Sequence, residues 1–172
     1  VYARSDRYVI RRFQEETNLR ALVMLDSSES MAFRGQGPMT KLDYGARLAA
    51  AFLFILVNQG DAASLVTFDT MPKAVFPAAG TFEGLRPMLL YLDDIRGHGR
   101  SDIEASIHAA ALTIKHRSLV LIVSDFLQAP EALARGLHRL DHDGHDVTLL
   151  HVMDGSELAL DLTGVSELRE LE

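Results

Sequence analysis

"RALVMLDSSESM", Arg20 to Met31, is an unbroken apolar run that ends on a carboxylate and then on closely spaced serines. Successive side chains of a strand point to opposite faces, so a run apolar at every position predicts a strand buried on both sides. The pattern recurs along the chain. "ASLVTFD" ends at Asp69, "SLVLIVSD" at Asp125 and "DVTLLHVMD" at Asp154. Strands of this kind belong to a mostly parallel sheet.

Helical patterns lie between the strands. "KLDYGARLAAAFLFILVNQG" is helix-like with Gly60 as its stop, and "FEGLRPMLLYLDDI" is a shorter helix with Pro87 near its first turn. "SDIEASIHAAALTIKH" opens on a cap-like Ser-Asp and spaces Ile103, Ile107, Ala110, Ala111 and Ile114 as one apolar face. "PEALARGLHRLDHDGH" begins with proline at the first helical position and closes through Asp143 and Gly144. "VTFDTMPKAVF" predicts a hairpin turning at Met71 and Pro72, hence an antiparallel edge strand. Alternation of strands and helices predicts an α/β doubly wound domain. The 172 residues suit a single domain, with 1–17 and 158–172 as peripheral segments. The chain begins at Val1 and not at methionine, which suits a piece of a longer protein.

Composition narrows the function. With 17 basic and 24 acidic residues the net charge is −7, which excludes a global field drawing the chain to nucleic acid or anionic lipid. There is no cysteine, which removes disulfides, thiolate metal sites and cysteine nucleophiles, and suits a reducing, cytoplasmic compartment. The most lipid-like stretch, "LAAAFLFILV" from Leu48 to Val57, is too short to span a bilayer; it predicts a buried helix with its phenylalanines in the core.

In an α/β sheet, ligands bind beyond the carboxyl ends of the strands, where strand order reverses. The aspartates stand at those ends. Asp26, Ser28 and Ser30 are spaced i, i+2, i+4, which in an extended segment directs three oxygen-bearing side chains to one side. One carboxylate and two hydroxyls form a hard-oxygen set suited to Mg²⁺, Mn²⁺ or Ca²⁺. Three ligands do not complete an octahedron, and Asp125 and the "GRSD" segment are the natural sources of more. The competing reading is a loop whose hydroxyls bond its own backbone. Asp69 and Asp154 read as turn and cap residues. His138, His142 and His145 lack a further cluster to complete a zinc site and read as a solvated helix end. Arg4, Arg7, Arg11 and Arg12 read as an exposed edge segment.

The Asp-x-Ser-x-Ser motif after a buried strand resembles the metal-ion-dependent adhesion site of von Willebrand factor A domains. More narrowly, "RYVIRRFQEETNLRALVMLDSSESM", "KLDYGARLAAAF", "LVLIVSDF" and "GHDVTLLHVMD" together resemble the carboxy-terminal part of the bacterial DUF58 family. The resemblance implies strand order 3-2-1-4-5-6 with the third strand antiparallel, and it puts the first and fourth strands side by side. It implies a metal held by Asp26, Ser28 and Ser30, with Asp125 as a ligand through water. The family's loop threonine corresponds to Ser101, which keeps the hydroxyl but not the methyl that restricts its rotamer. Arg100 stands at a usual glycine position, where a guanidinium repels a cation or helps hold an acidic partner group.

Two functions follow. The favoured one is a non-enzymatic interaction domain whose divalent metal takes an acidic group of a protein partner; the resemblance implies a MoxR-type AAA+ ATPase, in assembly or maturation. The alternative is a metal-assisted hydrolase or phosphoryl-transfer enzyme using the same pocket. It lacks an Asp-x-Asp motif, a Gly-x-Ser-x-Gly elbow and a P-loop, and His98 is the one imidazole on a site loop.

Overall fold

Val23, Met24 and Leu25 have no exposed surface, and that fact organises the molecule. The computed structural model describes residues 19–35 and 37–159. Strand β1 (Arg20–Asp26) is the centre of a five-stranded sheet that also contains β2 (Ala62–Phe68), β3 (Pro72–Ala79), β4 (Leu119–Ser124) and β5 (Asp146–His151), in the order β3-β2-β1-β4-β5. β2 and β4 flank β1 in parallel, β5 continues in parallel on β4, and β3 closes the other side antiparallel to β2. The reversal of strand order between β1 and β4 is thus where the resemblance puts it. A sixth strand is not among the described residues, and the expectations on 1–17, including its arginines, lie outside them.

Alternate residues of β1 feed two cores. Ala21, Val23 and Leu25 pack with α1 (Lys41–Asn58) and α2 (Phe82–Asp93) on one face. Leu22 and Met24 join Val66, Phe68, Val120 and Ile122 against α3 (Ile103–Ala111) and α4 (Pro130–His142) on the other. Burying each such side chain stabilises the fold by about 1.5–3 kcal/mol, which explains why β1 carries no polar residue between the exposed Arg20 and Asp26.

The helix signals are local and legible. Thr40 and Asp43 form a reciprocal capping box at α1, and Gly60 (φ 90°) follows its carboxyl end. Asp102 accepts the Ala105 N–H at the start of α3, and Pro130 opens α4. Pro87 differs from expectation: it lies in the second turn of α2 rather than the first. Phe54 is not core but about half exposed, against the ring of Phe82, because the described residues cover α1 on one side only. β5 is not buried on both faces; most of it is exposed, since it pairs with β4 alone among the described residues. A short helix, α5 (Gly155–Ala159), follows it, with Asp154 accepting the N–H and hydroxyl of Ser156 as a cap.

Candidate functional site at the β1–β4 reversal

Asp26 ends β1 with a carboxylate almost wholly out of water. Its Oδ1 accepts the Ser28 N–H at 2.9 Å, and its Oδ2 accepts the hydroxyls of Ser124 at 2.7 Å and Ser101 at 3.0 Å. Ser28 and Ser30 share a hydrogen bond at 3.1 Å between their hydroxyls. The segment does not stay extended, as the i, i+2, i+4 reading assumed. It bends at Ser28 and enters a single 3-10 turn over Ser30–Ala32, and this turn brings the two hydroxyls together. Asp26, Ser28, Ser30 and Ser101 therefore form one oxygen-rich cluster.

Backbone contacts fix the loop that brings Ser101. The Glu29 N–H bonds the Gly99 carbonyl at 2.8 Å, and the His98 N–H bonds the Ser27 carbonyl at 3.0 Å. A β-carbon on Gly97 would stand 2.8 Å from the Ser28 carbonyl oxygen, so only glycine permits this approach. From the other side, the Asp69 carbonyl accepts the Asp102 N–H at 2.9 Å. Asp69, read in the sequence as a plain turn residue, thus also anchors the Ser101 loop. Arg100 is exposed, with no ion pair to a site carboxylate among the described residues. The His98 side chain is exposed as well.

Asp125 follows β4 and lines, with Asp26, Ser101, Ser124 and Gln128, a cavity of about 10 Å³, room for a single water-sized occupant. The backbone turns sharply there: Phe126 has φ 49°, a left-handed conformation costly for a bulky side chain. Its N–H is held by the Ser124 hydroxyl at 3.0 Å. Two buried polar atoms have no hydrogen-bond partner among the described residues, Asp125 Oδ2 and Gln128 Nε2, and both residues line this cavity. Asp125 Oδ2 is nonetheless 2.8 Å from the ammonium of Lys41, an ion pair lying off the hydrogen-bond direction. Lys41 is itself buried and donates to Glu157 at 2.8 Å.

The electrostatics separate the two aspartates. Burial pushes the Asp26 carboxyl above its ordinary pKa; the hydrogen bonds from Ser124 and Ser28 oppose the rise, and the charge of Asp125 adds to it. Burial also works against the Lys41 ammonium, but its bonds to Asp125 and Glu157 outweigh this and raise its pKa. The ammonium thus serves Asp125 and not Asp26, so among the described residues a buried carboxylate is left with hydroxyl and amide donors but no cation. Hard oxygens around a carboxylate without a cation among the described residues, next to a second buried carboxylate, fit a divalent ion such as Mg²⁺. Among the described residues no group of three or more His, Asp or Glu side chains is placed to hold a metal, so hydroxyls must complete any such site. His145, expected at a solvated helix end, is instead buried and accepts the Ser118 N–H on its Nδ1.

Over residues 1–172 the chain matches the family described as "Protein of unknown function DUF58". It belongs to the DUF58 family. No curated protein matches its sequence. Among solved structures, this DUF58 chain is similar to the conserved hypothetical protein BatB from Bacteroides thetaiotaomicron, with TM-score 0.64 and 15% identity over 77% of this chain and 66% of that one. An aerotolerance-related membrane protein from Bacteroides fragilis gives TM-score 0.60 and 18% identity over 78% of this chain and 67% of that one. The SpRpn10 VWA domain gives TM-score 0.60 and 18% identity over 82% of this chain and 78% of that one. The chain spans about two thirds of the two Bacteroides proteins. At these identities the likeness establishes a von Willebrand factor A-like fold. Among the described residues, no helix is long and apolar enough to cross a membrane.

Lys41, Ser124 and Glu157 are the site residues that sequence reading missed. Ser124 had one usable signal, its place directly before Asp125 at a strand end. Lys41 read as an ordinary helix start, and Glu157 carried no signal.

Proposed function

We propose that this DUF58 domain is a metal-dependent protein-interaction module. Asp26, Ser28, Ser30 and Ser101 would hold a divalent ion, Mg²⁺ or else Mn²⁺ or Ca²⁺, with Asp125 acting through water. The observation that carries the reading is the state of Asp26, a buried carboxylate ringed by hydroxyls and left without a cation. A bound dication supplies positive charge that attracts a carboxylate of a partner. The chain's own residues do the rest. Ser124 and the Ser28 amide orient Asp26, and the Asp69 carbonyl and Gly97 hold the Ser101 loop against the Ser28 turn. The hydroxyls leave the ion's charge largely intact, which an all-carboxylate set would not. The partner class in this proposal is an acidic protein segment; the resemblance points to a MoxR-type AAA+ ATPase and a cytoplasmic role in assembly or maturation.

The hydrolase or phosphoryl-transfer reading gains no specific support. It needs an oriented base, and the exposed His98 imidazole is not held toward Asp26 by any partner among the described residues.

Isothermal calorimetry with Mg²⁺ or Mn²⁺ tests the proposal. Binding heat is expected from the wild type and none from Asp26→Ala. A wild type that gives no heat with Mg²⁺, Mn²⁺ or Ca²⁺ refutes the metal-dependent form. Capture of partners from native extract should likewise fail with chelator and with Asp26→Ala.

A further inference from the structure

Lys41 is placed against three general preferences. It is 3% exposed, although a buried ammonium is costly unless paired. It is the first residue of α1, at the positive end of the helix dipole, where a cation is unfavourable. It lies 2.8 Å from Asp125 Oδ2 off the hydrogen-bond direction, and this oxygen takes no hydrogen bond from any described residue. What offsets these costs is a bridge between two carboxylates. The same ammonium that meets Asp125 donates to Glu157 Oε1 at 2.8 Å, and the Phe33 ring lies 5.5 Å from it. Glu157 is set in turn by the Asp154 N–H, which it accepts on Oε2 at 2.7 Å. A packing role alone would be served by an apolar side chain of similar volume. Position explains the lysine better: its ammonium touches the one carboxylate that shares a cavity with Asp26.

We propose that Lys41 is the resident counter-cation of the site, keeping Asp125 from direct coordination of a bound divalent ion so that Asp26 is the one carboxylate bound to it directly. This deepens the metal-dependent reading above and rests on it. A dication neutralised by one carboxylate keeps a net positive charge for an acidic partner, whereas one neutralised by two keeps none. Lys41 therefore trades metal affinity for attraction to the partner. Glu157 sets the strength of that trade, because it competes with Asp125 for the same ammonium. Any contact that draws α5 away would turn Lys41 wholly onto Asp125.

Two variants respond in opposite directions. Lys41→Met frees Asp125 for the ion, and Mg²⁺ binding by calorimetry should tighten about tenfold, the effect of one opposite charge at close range. Lys41→Arg keeps a cation and should stay near wild type. Glu157→Gln leaves Lys41 to Asp125 alone and should weaken Mg²⁺ binding several-fold; with its side chain partly exposed, it also decides the matter if Lys41→Met does not fold. A merely structural lysine predicts weaker binding, or no change, in Lys41→Met and no change in Glu157→Gln, and either result overturns the proposal. If the wild type binds Mg²⁺ through Asp26 and Lys41→Met does not tighten it, this inference falls and the metal reading stands. If wild type does not bind but Lys41→Met does, Lys41 excludes the ion altogether, and both the metal reading and this inference fall. If neither binds, both fall.

Discussion

Asp26 and Asp69 stand side by side at the carboxyl ends of neighbouring strands, Asp26 in register with Phe68 and Asp69 one residue beyond it, and both are buried. Their surroundings drive them apart. Burial pushes the Asp69 carboxyl up as well, but ion pairing to Lys73 and the N–H of Met71 outweigh it, and the pKa falls below the ordinary value. Asp26 has hydroxyls and an amide but no cation, and its pKa rises. The same residue type at the same level of the sheet is ion-paired in one case and, among the described residues, left with hydroxyl and amide donors alone in the other. A motif counts carboxylates; the structure shows which one still lacks a positive charge.

The largest test of that contrast is metal binding by paired variants. Asp26→Asn should lose Mg²⁺ binding in calorimetry, while Asp69→Asn should keep it, since the Asp69 main-chain carbonyl that anchors the Ser101 loop survives the change. Equal losses in both variants would erase the distinction. Ser124→Ala should come next. It removes a donor to Asp26 and the acceptor of the strained Phe126 N–H, and the expected loss is about 10–100-fold in Mg²⁺ affinity. Thr70→Ala, which removes the hydroxyl contact of Asp69, should leave that affinity unchanged.

Much of this was legible in the sequence, and the reason is locality. Strand β1 announces itself because both faces are apolar, and α1 and α3 announce their starts through Thr40–Asp43 and Asp102, whose partners lie three residues away. Asp26, Ser28 and Ser30 stand out by their spacing after a strand end, which with the strand-end position of Asp125 and the "GRSD" segment points to one pocket, and the resemblance singles out Ser101 within that segment. Ser124 and Lys41 do not stand out, because their roles depend on chain separations of 98 residues to Asp26 and 116 to Glu157. Nothing in "TKLDYG" distinguishes a lysine that will be buried from one that opens an exposed helix. β5 was misjudged for a related reason: its burial depends on which neighbours cover it, and its own apolar residues do not settle that. Phe54 was misjudged because a ten-residue apolar run on a helix covers more than the one side that α1 buries.

Smaller effects should come from the approach of the two site loops. Gly97→Ala puts a methyl 2.8 Å from the Ser28 carbonyl and 3.0 Å from the Ala32 β-carbon, so the Ser101 loop must retreat from the Ser28 turn. The expected result is Mg²⁺ binding weakened by about tenfold with the helices intact by circular dichroism. Undiminished affinity would mean that Ser101 is not positioned by this contact.

The subtlest test reads the two aspartates through stability without metal, in chelator. A carboxyl whose folded-state pKa is raised binds its proton more tightly in the folded state. Asp26 therefore costs stability progressively as pH rises from the ordinary aspartate pKa through its higher folded value. Asp69 is the reverse case: it contributes stability above the ordinary pKa and loses that contribution as pH falls through its lower folded value. Asparagine at 26 can keep the Ser28 N–H bond on its oxygen and turn the Ser101 and Ser124 hydroxyls from donors into acceptors, so the exchange is close to isosteric. At pH 7, Asp26→Asn should then raise the unfolding free energy and Asp69→Asn should lower it, each by about 1 kcal/mol, with Asp69 the smaller because Lys73 is partly exposed and its pairing is screened. In acid, below both folded values, the two differences should shrink toward zero, as measured by urea titration across pH. If both variants are destabilised at neutral pH and the gap does not close in acid, Asp26 is an ordinary satisfied carboxylate like its neighbour, and the main reason for placing an ion there is gone.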